Sequence, residues 1–247
     1  MDGVGKRGDI FPRTAAVFGA SGGIGAALTQ QLAARGTRVW AGSRSGDVPA
    51  GEGITGFEFD LQDEPSIAAA AQAMCDFPPQ LVIVATGVLT LPDGTGPERS
   101  FRKLDGEAMA RILTLNTIGP ALIAKHALPL FDRSERAVFA ALSARVGSIG
   151  DNGLGGWHSY RASKAALNML LKNFAIELDR THKQAVVAGL HPGTVDTALS
   201  EPFQSNVPDG KLFTAERSAG HLLDVIDGLR PEDSGGVFDW AGERIPD

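Results

Sequence analysis

The run Gly19-Ala20-Ser21-Gly22-Gly23-Ile24-Gly25 follows a short apolar stretch, residues 14–19 (TAAVFG), and opens into an alanine-rich segment with helical spacing. Strand, glycine turn and helix in that order read as the first half of a βαβ unit, whose next strand returns parallel to the first. Gly19 permits the tight turn, Gly23 lets the backbone approach a pyrophosphate, and Gly25 lets the helix lie close to the strand. The helix N-terminus then offers unpaired amides and the positive end of its dipole to phosphate groups. A chain that begins this way is predicted to build a dinucleotide site.

The alternation continues to the end. Strands are predicted over residues 37–41, 53–59, 80–85, 136–142, 185–190 and 236–240, several apolar almost throughout, as strands buried on both faces are. Helices are predicted over 23–35, 64–74, 106–131, 159–180 and 214–229, with Pro120 and Pro129 bending or breaking the third. The fold class is α/β: a single Rossmann-type, doubly wound parallel sheet of about seven strands with helices on both faces. Residues 1–12 read as a flexible leader and 13–247 as one domain, with a substrate lid within 194–213. Gly- and Pro-rich loops at 91–101 and 147–157 join that segment at the ligand-binding end of such a sheet.

Composition excludes other classes. The formal charge of −6 argues against a nucleic-acid binder. No apolar run reaches the ~18 residues of a membrane span, and the first residues lack the apolar stretch of a secretory signal. The reading is a cytoplasmic protein. One cysteine, Cys75, excludes an internal disulfide and a cysteine-based metal site. His126, His182 and His221 have no carboxylates at ligand spacing, so no metal is assigned. His158 reads as a residue at the start of a helix and His191 as backbone support.

The second strand runs into Gly42-Ser43-Arg44-Ser45, with no carboxylate before Asp47. An acid there would accept from the ribose hydroxyl of NAD, whereas arginine pairs with the 2′-phosphate of NADP. NADP(H) is therefore predicted, with Arg44 on the phosphate and Ser43 assisting. Asp60, ending the third strand, either accepts from the adenine amino group or caps the following helix.

Residues 159–169 (SYRASKAALNM) hold the one tyrosine of the chain, Tyr160, four residues before Lys164. At that spacing the two share a helix face, their β-carbons roughly 5–6 Å apart. A phenol of pKa about 10 is a weak acid–base catalyst at neutral pH, and a nearby ammonium favours its ionised form. Lys164 is expected to acidify Tyr160, which then protonates a carbonyl receiving hydride and acts as base in reverse.

GASGGIG, DLQD, LNTIG, LSARVGSI, YRASK and HPGTVDT stand in the order, and nearly at the spacing, of the short-chain dehydrogenase/reductase family. The chain resembles that family over nearly its whole length. The loop GSIGDNGLGGW, YRASKAALNM and the closing FDWAGERIP look most like the branch of Sniffer-type carbonyl reductases and C-factor-like bacterial proteins. The resemblance implies Tyr160 as general acid, Lys164 lowering its pKa and binding the nicotinamide ribose, and Ser143 hydrogen-bonding the substrate oxygen. It implies that Asn116 holds a water linking Lys164 to solvent. Implied cofactor contacts are Gly19, Ser21, Gly22, Gly23, Ile24 and Gly25, then Asp60, Leu61, Thr86 and Gly87. Asn116, Tyr160, Lys164, Pro192, Gly193, Val195 and Thr197 complete the set, the Val195 backbone reaching the carboxamide.

Departures from the family pattern are specific. Phe18 replaces a threonine before the first glycine, and Val84-Ala85-Thr86-Gly87 stands where the family has Asn-Asn-Ala-Gly. Ala144 occupies the usual place of the catalytic serine, three residues before Gly147; Ser143 is one position earlier, and Ser148 is the fallback.

The function expected is interconversion of a small-molecule aldehyde or ketone and its alcohol by a homodimer or homotetramer. Alternatives are a non-catalytic dinucleotide sensor of C-factor type, or an epimerisation or dehydration that recycles the cofactor.

Overall fold

Strands apolar on both faces need cover on both, and the chain supplies it. The structure, a computed structural model, describes residues 11–206 and 210–247. Its elements run β1 (Thr14–Phe18), α1 (Gly23–Ala34), β2 (Arg38–Ser43), β3 (Ile54–Glu58), α2 (Glu64–Ala73), β4 (Leu81–Val84), α3 (Gly106–Leu113) and α4 (Gly119–Ala127). They continue with β5 (Ala137–Leu142), α5 (His158–Leu178), β6 (Ala185–His191), β7 (Thr194–Val195), β8 (Leu212–Phe213), α6 (Ala215–Gly228) and β9 (Val237–Asp239). Seven strands form one parallel sheet in the order β3-β2-β1-β4-β5-β6-β9, while β7 and β8 pair separately. The seven-stranded doubly wound sheet of the sequence reading is what forms.

Successive side chains of a strand point to opposite faces, so each strand feeds two cores. Ala15 and Val17 pack with Leu28, Leu32, Leu222 and Ile226 of α1 and α6. Ala16 and Phe18 pack on the other face with residues of α2, α4 and α5, among them Ile67, Ile123 and Leu167. Phe18, which removes a hydroxyl before the glycine turn, stacks edge-on with Phe57 and Phe59 at centroid distances of 5.2 and 5.0 Å.

Two expectations about elements change. The segment 106–131 does not break at Pro120: a π-helical turn, Thr114–Ile118, lies between α3 and α4, and Leu113, Thr114, Ile118 and Gly119 all keep right-handed helical dihedrals. Pro120 follows directly on that turn, as the second residue of α4. The fixed chain also begins earlier than residue 13. Phe11 packs against the first core, the Arg136 guanidinium carbon lies 4.1 Å from its ring centroid, and Thr37 Oγ1 donates to the Pro12 carbonyl at 2.8 Å. Residues 1–10 of the expected leader, and residues 207–209 of the expected lid, lie outside the described residues.

Candidate active site

The chain leaves β1 toward β2 on one side and returns to place β4 on the other. Ligands of such sheets bind at this switch point, beyond the carboxyl ends of the strands. A cavity of about 590 Å³ opens there, reaching from Gly22–Gly25 past Ala85–Gly87 to Ser143, Tyr160, Lys164 and the 191–200 segment.

The glycine turn is shaped by close approach. Gly19 has φ +97°, and a β-carbon on it would stand 3.0 Å from the Ala85 backbone. A β-carbon on Gly25 would lie 2.1 Å from the Gly19 carbonyl oxygen. Gly22 caps α1 without any side-chain bond, so the first amides of α1 receive no side-chain cap. Near this turn two buried hydroxyls, Ser43 Oγ and Thr86 Oγ1, have no partner. Arg44 is exposed, with no ion pair or hydrogen bond among the described residues.

The remaining cofactor candidates divide. Gly22, Gly23, Ile24, Gly25, Thr86, Gly87, Pro192, Gly193, Val195 and Thr197 line the cavity; Gly19, Ser21, Ser43, Arg44, Asp60, Leu61 and Asn116 do not. The Asp60 carboxylate accepts from Gln62 N at 2.9 Å, and the N-cap of α2 is Asp63, so the capping alternative for Asp60 fails. Leu61 packs on Gly119, where a β-carbon would stand 2.7 Å from it.

Tyr160 sits in the first turn of α5, buried, with Trp157 edge-on at a centroid distance of 6.3 Å. Lys164, one turn on and also buried, donates to the Leu142 carbonyl at 2.8 Å, and its Nζ lies 5.8 Å from the Tyr160 ring centroid. Burial pushes the phenol up to about 12 and the ammonium down to about 8. Burial acts against the expected acidification. The lysine is itself desolvated and its proton is shared with a carbonyl, so desolvation of the phenolate prevails.

Asn116, on the π-helical turn, is fully buried. Its Oδ1 accepts from Val88 N at 2.8 Å, and its Nδ2 donates to Val88 O and to Ser163 Oγ. Ser163 Oγ donates in turn to the Tyr160 carbonyl at 2.7 Å, so Asn116 braces both the strand end and the helix carrying Tyr160. Ser143 lines the cavity, but its hydroxyl donates to Asn168 Oδ1 at 2.6 Å. Ala144 packs against Tyr160 and Leu89. Ser148 Oγ accepts from Asp151 N and does not line the cavity.

Asn168 and Glu98 escape the sequence reading, and His191, expected only as backbone support, joins them at the site. Asn168 lies one turn beyond Lys164 and receives Ser143, a pairing that follows from the i, i+4 stripe once Ser143 is known to face the helix. His191 lines the cavity with Nδ1 unpartnered, and burial with the nearby Arg145 holds it down at about 4 against the opposing pull of Asp239. Glu98 binds the start of α5 from 61 residues away, and no local pattern signals it. Among the described residues no cluster of His, Cys, Asp and Glu is placed to hold a metal ion, and no helix is long and apolar enough to cross a membrane.

Comparison with known proteins agrees with this arrangement. The family model described as short chain dehydrogenase matches residues 13–208. The chain is 35% identical to 1-hydroxy-2-glutathionyl-2-methyl-3-butene dehydrogenase of Rhodococcus sp. (strain AD45), across 90% of this chain and 94% of that protein. It is 34% identical to C-signal of Myxococcus xanthus, across 72% of this chain and 98% of that protein. The NADPH-bound carbonyl reductase from chicken fatty liver superposes with a TM-score of 0.78 at 26% identity, over 95% and 94% of the two chains. The carbonyl reductase Sniffer of D. melanogaster superposes with a TM-score of 0.79 at 20% identity, over 95% and 99%, a likeness of fold. A glycine turn at the switch point, Tyr160 and Lys164 on one helix face, and a family match across most of its length together identify this chain as a member of the short-chain dehydrogenase family.

Proposed function

We propose that the protein is an NADP(H)-dependent reductase that converts an aldehyde or ketone to an alcohol, with Tyr160 supplying the proton. The observation that carries this reading is one cavity shared by the glycine turn at the switch point and the Tyr160–Lys164 pair on one helix face.

The residues present fit the cofactor. Uncapped amides of α1 suit a pyrophosphate, the unpartnered hydroxyls of Ser43 and Thr86 call for ligand bonds, and exposed Arg44 supplies a cation for a 2′-phosphate. The NADPH bound by the chicken carbonyl reductase supports the same choice. When bound, a reduced nicotinamide is a hydride source. Tyr160 gives its proton to the carbonyl oxygen as negative charge develops there. Lys164 binds the ribose and stabilises the phenolate left behind. Asn116 fixes α5 through Ser163, and Ser143 reaches a substrate oxygen only by turning away from Asn168. Leu89, Ala144, Val146, Trp157 and Leu199 make the substrate end apolar, which favours an apolar or aromatic carbonyl compound.

NADPH consumption across a panel of aldehydes and ketones, with NADH in parallel, tests the reading. A glutathionyl-substituted alcohol, tested in the oxidative direction, extends the panel toward the Rhodococcus relative. Turnover is expected with an apolar carbonyl, with a KM for NADPH about tenfold or more below that for NADH. Tight NADPH binding without turnover would instead favour a dinucleotide-binding signalling protein. That second reading draws on the similarity to C-signal and on the commitment of Ser143 to Asn168.

A further inference from the structure

We propose that Glu98 is a positioning residue for Tyr160, capping the first turn of α5 from a distant loop and holding that turn against the wall of the cavity. The inference rests on reading Tyr160 as the acid.

The first turn of a helix has amides without intrahelical partners, ordinarily capped by the residue just before it. Here that residue is Trp157, held in the left-handed region at φ 52° and ψ 42°, and its side chain gives no cap. Glu98 takes the task. Its Oε2 accepts from Ser159 N at 3.1 Å, its Oε1 accepts from the Ser159 hydroxyl, and its carbonyl accepts from Trp157 N. The carboxylate is buried; burial raises its pKa, but the Ser159 bonds, its own backbone amide and the His158 charge together hold it below the ordinary value. The segment that carries Glu98 also delivers Leu89 to the cavity and Val88 to Asn116. One side chain therefore joins the substrate wall to the turn that bears the phenol.

Glu98→Ala and Glu98→Gln test this in the full chain, by kcat, NADPH affinity, thermal midpoint and tyrosinate absorbance at about pH 10.5. The one tyrosine makes the absorbance specific. Lys164 and His158, the titratable neighbours on the same helix, are unchanged throughout. Alanine is expected to lower kcat about tenfold or more, leave NADPH affinity within about twofold, and raise the ionised fraction as water reaches the phenol. Glutamine, which still offers an acceptor to Ser159 N, is expected to restore most of kcat. An alanine variant with parental kcat and ionisation overturns the proposal. So does a uniform fall in kcat, NADPH affinity and thermal midpoint that glutamine does not relieve. If the parent itself reduces no carbonyl, the function above fails, yet unchanged ionisation in Glu98→Ala would still separately refute the role of Glu98.

Discussion

Ser143 gives its hydrogen to Asn168, and Ala144 turns a methyl group toward Tyr160. A substrate oxygen in the cavity then meets Tyr160 with no second hydroxyl already aimed at it. A serine at 144 would add one hydrogen bond, worth about 1 kcal/mol net. Ala144→Ser is therefore expected to raise kcat by roughly fivefold to tenfold, and Ser143→Ala to change it by less than about threefold. A hundredfold loss in Ser143→Ala would show that Ser143 leaves Asn168 during turnover. Ionisation follows the same burial. The folded pKa of Lys164, about 8, lies below its ordinary 10.5, so its contribution to stability is present above pH 10.5 and lost as pH falls through 8. That of Tyr160, about 12, lies above its ordinary 10, so its contribution is present below pH 10 and lost as pH rises through 12. Denaturant unfolding between pH 7 and 10 is expected to show stability rising with pH, and Lys164→Met to flatten the rise; an unchanged slope would contradict the assignment. The pairing of Tyr160 with Lys164 is legible from spacing alone. Its ionisation is not, because that depends on Leu89, Ala144 and Trp157, which folding brings around the ring.

Elements follow the same division. The seven sheet strands are written as short β-branched and apolar runs, and the helix after Gly22 is announced by its glycines. The π-helical turn at Thr114–Ile118 is not written locally: it presents Asn116 to Val88 and Ser163, partners on other elements. Nor are β7 and β8 legible, since two-residue strands carry no periodicity. The glycine turn is the most constrained joint. Gly25→Ala forces a methyl group to 2.1 Å from the Gly19 oxygen, and either α1 or β1 must move. A loss of about 2–4 kcal/mol in denaturant unfolding is expected, together with weakened NADPH binding. Parental stability in this variant would mean that α1 does not need its close seat on the turn.

For the whole molecule, the doubly wound sheet leaves α5 and the π-helical turn facing outward on one side. Ile118, Met169 and Ile176 stand 50%, 61% and 52% exposed on these elements, beside the exposed Lys172, Asn173 and Glu177. These residues are expected to pack between copies in a homodimer or homotetramer. Light scattering of Met169→Asp should then shift toward monomer, and a parent that is monomeric would contradict it. Turnover depends on the proton that Tyr160 delivers at the end of the sheet. The most direct test is kcat for Tyr160→Phe against the parent at saturating NADPH, with NADPH affinity measured on both. A loss of about 10²–10⁴-fold with unchanged affinity is predicted. Parental turnover in the phenylalanine variant would contradict it.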